Sequence, residues 1–125
     1  MDTLKELKKI VAEILDIEGQ EINPETYLIR ELGAESIDLL ELSVAINAGF
    51  NIEVNDDDIY LRTMRLHLHK AKEENKDAAG YLAEKYPALT GSRIKEILED
   101  LKGGPVLKIK DITSYIVWQE SKKNG

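Results

Sequence analysis

No cysteine occurs among the 125 residues, which removes a disulfide framework and any thiolate nucleophile or thiolate metal ligand. No apolar run approaches the roughly 18 to 20 residues that cross a bilayer, so no transmembrane segment is expected. The opening Met1-Asp2-Thr3-Leu4-Lys5-Glu6 mixes charge with apolar residues and has no signal-peptide core. A cytoplasmic protein is the simpler reading. Histidine is nearly as scarce. His67 and His69 are the only two, and positions two apart on a helix point to different sides, so no metal site is expected there. Asp56-Asp57-Asp58 lacks the spaced ligands, central glycine and closing glutamate of a calcium loop, and helix capping accounts for it better. With no base, nucleophile or metal cluster converging, no catalytic residue is assigned and an intrinsic enzyme is not expected.

What the chain does have is charge, unevenly placed. Apolar residues make up 42% and charged residues 33%, a balance typical of globular proteins. The net charge is −7, but residues 1–58 hold 4 Lys/Arg against 15 Asp/Glu, a balance of −11. Residues 59–104 hold 9 against 7, and residues 105–125 hold 4 against 2, so each contributes +2. So acidic a first half repels nucleic acid and anionic membrane and attracts basic protein surfaces. The length suits one domain, residues 1–125, with one modest core.

Hydrophobic periodicity predicts helices throughout, an all-α chain with neither repeats nor low-complexity segments. Leu4, Leu7, Val11, Ile14 and Leu15 form one helical stripe, with Thr3 and Glu6 as a capping box and Asp16 to Gly19 as the stop. From Gln20 to Glu35 there is no helical period, and Asn23-Pro24-Glu25-Thr26 reads as a turn. Ile22, Tyr27, Leu28, Ile29 and Leu32 should pin that long loop to the core. A helix from Ser36 to Phe50 carries two stripes: Leu39, Leu42, Ile46 and Phe50, and beside them Ile37, Leu40 and Val44. Two stripes exceed what one core contact needs, so either the helix is deeply buried or one stripe serves a partner or ligand. Asn55 with Asp56 to Asp58 should cap a third helix continuing towards Ala71. Shorter helices are expected over Asp77–Tyr86 and Ser92–Lys102, the latter stopped by Gly103-Gly104-Pro105. A last helix over Lys108–Glu120 should precede a frayed tail, 121–125.

The segment Leu32-Gly33-Ala34-Glu35-Ser36-Ile37-Asp38-Leu39-Leu40-Glu41-Leu42 resembles the prosthetic-group attachment motif of acyl carrier proteins, which usually reads L-G-x-D-S-L-[DE]-x-[VL]-E-L. The preceding loop, Phe50, the acidic turn Asp56–Asp58 and the final Asp111-Ile112-Thr113-Ser114-Tyr115-Ile116 fit the same family. The resemblance covers about residues 3–59 and 105–118. It implies an acyl-carrier-type helical bundle, with about 45 inserted residues, roughly Tyr60 to Gly104, forming extra helices before the last one. It further implies that Ser36 carries 4′-phosphopantetheine, received from coenzyme A through a phosphopantetheinyl transferase. Independently, a serine at a helix start exposes its hydroxyl, and the free amides there favour a phosphodiester anion. A bare N-cap with first-turn acids is the plainer account of the same residues.

As a carrier, the protein would hold an acyl chain as a thioester and present it to acyl-loading, acyl-transfer or chain-elongating enzymes with basic docking surfaces. Glu35, Ile37, Asp38, Leu40, Glu41 and Val44 are the candidate partner-binding residues: the apolar three surround the arm's root, and the acids steer Arg/Lys-rich surfaces. A monomer is expected. Two departures from the motif stand out, Glu35 for the usual Asp and Ile37 for the usual Leu, and Asn47-Ala48-Gly49 is less acidic than the family's helix end. With the insertion these suggest a specialised fatty-acid or lipopolysaccharide and envelope-lipid pathway. The alternatives are a carrier for polyketide or aminoacyl intermediates and a helical interaction module with no prosthetic group.

Overall fold

The computed structural model describes residues 2–124, and within them the chain is all helix and loop. Seven α-helices follow in order among the described residues: α1 (Thr3–Leu15), α2 (Ser36–Phe50), α3 (Asp56–Ile59), α4 (Met64–Glu73), α5 (Ala78–Lys85), α6 (Gly91–Asp100) and α7 (Ile109–Asn124). Two 3-10 turns, Gly19–Glu21 and Leu101–Gly103, interrupt the connections.

Local chemistry sets most of the boundaries. The cap of α1 is Asp2, whose Oδ1 accepts the Lys5 N–H at 3.2 Å, and not the expected Thr3. Both residues are good caps, and the carboxylate one place earlier wins an extra helical residue. Asp16 ends α1 in the left-handed region, where the Ile17 N–H reaches the Ala12 carbonyl at 3.0 Å. Thr90 Oγ1 caps α6 and Asp77 Oδ2 caps α5.

The expected continuous third helix is two helices. α3 is capped by Asn55 as anticipated and stops at Ile59. Leu61 then takes φ +56°, a conformation uncommon outside glycine and asparagine, and α4 begins at Met64. The turn lets Ile59, Tyr60, Leu61 and Met64 all point inward, all buried. A straight helix would have carried some of them to solvent. At the other end, α7 runs through Asn124, so the tail expected to fray is helical up to that residue, and Gly125 lies outside the described residues. Lys122 stacks over Trp118 and the Lys123 ammonium donates to the Asn51 carbonyl, which fastens the last turn.

One apolar cluster joins these parts. Leu7 and Val11 of α1, Leu42 and Ile46 of α2, and Ile112 and Ile116 of α7 meet Met64, Leu82, Ile94 and Ile97 from the later helices. Burying each such side chain contributes about 1.5–3 kcal/mol. α1 packs on α2 and α7, while α4, α5 and α6 pack in succession. The loop before α2 is held as expected by buried Ile22 and Leu28. It is also laced to the start of α7, where Ile109 and Lys110 N–H groups donate to the Thr26 and Pro24 carbonyls, each at 3.0 Å.

Candidate functional site

The N-terminus of α2 is delivered to the surface by this fixed loop. Buried Ala34 anchors it, and Gly33, at φ +69°, turns the chain where a side chain would be strained. Glu35 is the N-cap and Ser36 the first helical residue, exposed to solvent. Asp38 Oδ2 accepts the Glu35 N–H at 2.8 Å, and the Leu39 N–H closes the first turn on the Glu35 carbonyl at 3.0 Å. The Glu35 carboxylate faces the Asp38 N–H in return, so both halves of a capping box are present, the Glu35 half the looser one. Amides of a helix's first turn lack partners within the helix, so those at Ser36 and Ile37 remain for solvent or an anion.

The two stripes of α2 separate cleanly. Leu42, Ile46 and Phe50 are buried and Leu39 is half-buried, whereas Ile37, Leu40 and Val44 are 63%, 61% and 69% exposed. The helix is therefore not buried all round. Ser36, Ile37, Leu40, Glu41 and Val44 share an open face with Glu35 at its head, and Asp38, half-buried, closes the cap beside them. The candidate residues are thus brought together. His67 and His69 are not: His67 lies against Tyr81 and Tyr86, and His69 pairs with Glu73 at 2.8 Å.

Two clusters behind this face escaped sequence reasoning. Ser43 Oγ donates to Asp56 Oδ1 at 2.7 Å, and Tyr60 Oη lies 2.8 Å from both Ser43 Oγ and the Leu39 carbonyl. With the Ser43 proton directed at Asp56, the Tyr60 proton lies between the other two oxygens. Burial pushes the Tyr60 hydroxyl up to about 12, with nearby Asp56 adding to it against the Ser43 hydrogen bond, so it stays protonated. This network clamps α3 onto α2 over the first two turns after Ser36. Second, Arg30 stacks over the Tyr27 ring at 3.9 Å while both side chains bond Asp100, tying the loop that carries Ser36 to α6. A tyrosine that follows a short helix, and a loop arginine, have no pattern to betray such long-range partners.

An exposed serine hydroxyl at a helix start, beside an apolar strip, suits a carrier of an attached group. A family model described as the phosphopantetheine attachment site matches residues 5–64. The acyl carrier proteins of Nitratidesulfovibrio vulgaris (strain DP4) and Helicobacter hepaticus are each 38% identical over 58 residues, covering 46% of this chain and 76% of the relative. No solved structure matches. The chain belongs to the acyl carrier protein family. Its group is 4′-phosphopantetheine, it holds an acyl group through that arm, and such a carrier is not itself catalytic. Its role entails contact with a phosphopantetheinyl transferase and with acyl-handling enzymes. Among the described residues no helix is long and apolar enough to cross a membrane.

Proposed function

We propose that Ser36 is the attachment residue and that the protein is a specialised carrier for a fatty-acid or lipopolysaccharide and envelope-lipid pathway, working in the cytoplasm as a monomer. The observation that carries the attachment is the exposed Ser36 at the first position of α2, with Glu35 at the N-cap and Gly33 turning the chain behind it. When bound, the arm supplies the thiol that a cysteine-free chain lacks. The chain's own part is to hold the hydroxyl outward on a rigid helix start, with the first-turn amides aimed where a phosphodiester would sit.

Exposed Ile37, Leu40 and Val44 form the apolar centre of a docking face, ringed by Glu35, Asp38 and Glu41. Apolar contact at the centre and charge at the rim is the layout of a transient interface with basic enzymes. The strongly acidic residues 1–58 favour acyl over aminoacyl cargo. Residues 60–104 are read as an addition to one carrier unit. They lie almost wholly beyond the matched 5–64, and they supply α4 to α6 to the common core.

Intact mass after incubation with coenzyme A and a phosphopantetheinyl transferase tests the attachment. One added arm is expected, absent from Ser36→Ala. An unmodified wild-type chain, both with several transferases and from its native cell, would sink the carrier reading at this serine. Mass analysis of the thioester on native protein reads the pathway.

A further inference from the structure

Beyond the α2 strip, the described residues leave two large apolar side chains open, Leu66 on α4 at 50% exposure and Val117 on α7 at 51%. Their surroundings differ. Val117 has Thr113, Ser114, Glu120 and Ser121 three and four places away along its helix, and none is a cation. Leu66 has His69 and Lys70 at such places, Arg65 beside it and Arg62 at the turn before α4. Arg62, Arg65 and Lys70 are exposed, and among the described residues no carboxylate is within ion-pair distance of any of them. The acids that follow are taken, Glu73 by His69 at 2.8 Å and Glu74 by Lys76 at 3.4 Å. Arg65 Nη2 donates to the Leu101 carbonyl at 2.9 Å, which holds that side chain in place and leaves its other N–H donors free.

This face is the counterpart of the one on α2. There an exposed apolar strip has acids at its rim; here an exposed leucine has cations around it. Each face therefore offers the other an unburied apolar centre and charges of the opposite sign. Both are formed before any contact is made. α2 is anchored from behind by buried Leu42 and Ile46, and α4 by buried Met64 and Ala71. Both faces also stand open in the single chain, so neither covers the other within one copy.

We infer that the α4 face takes the α2 face of a second copy of this chain, Leu66 set against the Ile37, Leu40 and Val44 strip and its flanking cations facing the acids of that rim. Two copies of net charge −7 repel at a distance. At physiological salt, however, the Debye length is about 8 Å, so the charges brought to the contact decide it. The contact joins unlike faces head to tail and can extend past two copies. One helix face on another is small, in the class below about 1,200 Å² that forms weak, transient complexes. A basic enzyme surface therefore displaces it, and the copy that an enzyme holds is a single chain. While the pairing lasts, it covers the strip beside Ser36. α4 follows the matched 5–64, so the added segment guards the docking face of its neighbour.

Sedimentation of the full chain reads the association. In about 0.15 M salt the mean mass should rise between about 20 µM and about 1 mM protein, and about 1 M salt should weaken the rise. Leu40→Lys on the α2 face and Leu66→Glu on the α4 face are exposed changes that spare the fold, and each alone should stay monomeric. Lys70→Glu should act as Leu66→Glu does. An equal mixture of Leu40→Lys and Leu66→Glu holds one intact face of each kind, so it should associate again and stop at two copies. A wild-type mass that never rises, or a mixture that stays monomeric, would overturn the inference. Association kept by Leu66→Glu and lost only in Leu40→Lys would overturn it in favour of α2 pairing with α2. Wild-type chain that stays monomeric but binds phosphatidylglycerol vesicles through Leu66 would overturn it in favour of an anionic lipid surface. None of these readouts involves the arm, so a chain that fails them can still take phosphopantetheine at Ser36, and the two failures remain distinct.

Discussion

Arg93 and Asp111 meet in a two-point ion pair inside the protein, Nε to Oδ1 at 2.7 Å and Nη2 to Oδ2 at 2.8 Å. Arg93 also donates to the Val106 carbonyl at 2.7 Å, and Asp111 Oδ2 accepts the Lys108 N–H at 2.9 Å. One carboxylate thus caps α7 and binds the guanidinium from α6. The pair is what locks the later helices to the helix that closes the core.

Removing one partner leaves the other charge buried and unpaired, a loss of about 3–5 kcal/mol. Arg93→Ala should therefore lower the urea midpoint sharply. Arg93→Lys should rescue little, because a lysine cannot make the fork of two parallel bonds. In the double variant Arg93→Met with Asp111→Leu, the losses should fall short of the sum of the single changes. An additive result would mean that the two residues act separately.

The acid limb of the stability curve should report Glu25. Hydrogen bonds from Lys110, then Lys108, hold its carboxyl down at about 2, against 4.5 for the free group. A depressed carboxylate contributes stability above pH 4.5 that is lost as pH falls towards 2. The side chain is 60% exposed, so the effect should be modest and shrink in high salt. Glu25→Gln should flatten that part of the curve, as denaturation at successive pH values would show. An unchanged slope would count against the pairing.

His67 should act in a higher window. Burial, with Lys85 and Lys70 nearby, lowers its pKa below 6.5, and its Nδ1 is buried without a hydrogen-bond partner. Protonation would put an N–H where nothing accepts it. Stability should thus be full above pH 6.5 and decline as pH falls through the folded value, since the unfolded chain takes the proton first. Ring-proton titration by NMR should place the midpoint below 6.5, and His67→Gln should remove the decline.

These features differ in how far the sequence revealed them. α2 and its two stripes were legible because one helix's period alone decides which residues share a face. The open Ile37, Leu40 and Val44 stripe also answers why there were two. The break after α3 was not legible. Leu61 is a residue type that does not favour positive φ, and the apolar period runs on to Ala71 without a glycine or proline. What imposes the turn is burial of Tyr60 and its bonds to Ser43 and Leu39, contacts from far along the chain. The misplaced α1 cap is a smaller matter, two adjacent cap residues of similar strength. The helical last turn of α7 likewise depends on Lys123 reaching Asn51, a contact that no local pattern encodes.

The two acids at the head of α2 should differ in weight, although the motif treats both as part of one signature. Asp38 makes a 2.8 Å bond to the Glu35 N–H, and the Glu35 carboxylate faces the Asp38 N–H in return. Both halves of a capping box are in place, with the longer Glu35 side chain holding its half more loosely. Asp38→Ala should cost about 1 kcal/mol, and Glu35→Ala clearly less, by urea denaturation. Glu35→Asp should stabilise the helix start by tightening the half of the capping box at the Asp38 N–H, which Glu35 holds loosely. If arm transfer to Ser36 needs that same ordered turn, a general-purpose transferase should modify Glu35→Asp faster than wild type, read by intact mass against time. Equal rates, with the cap tightened, would show that the transferase reads the charge at this position and not its placement.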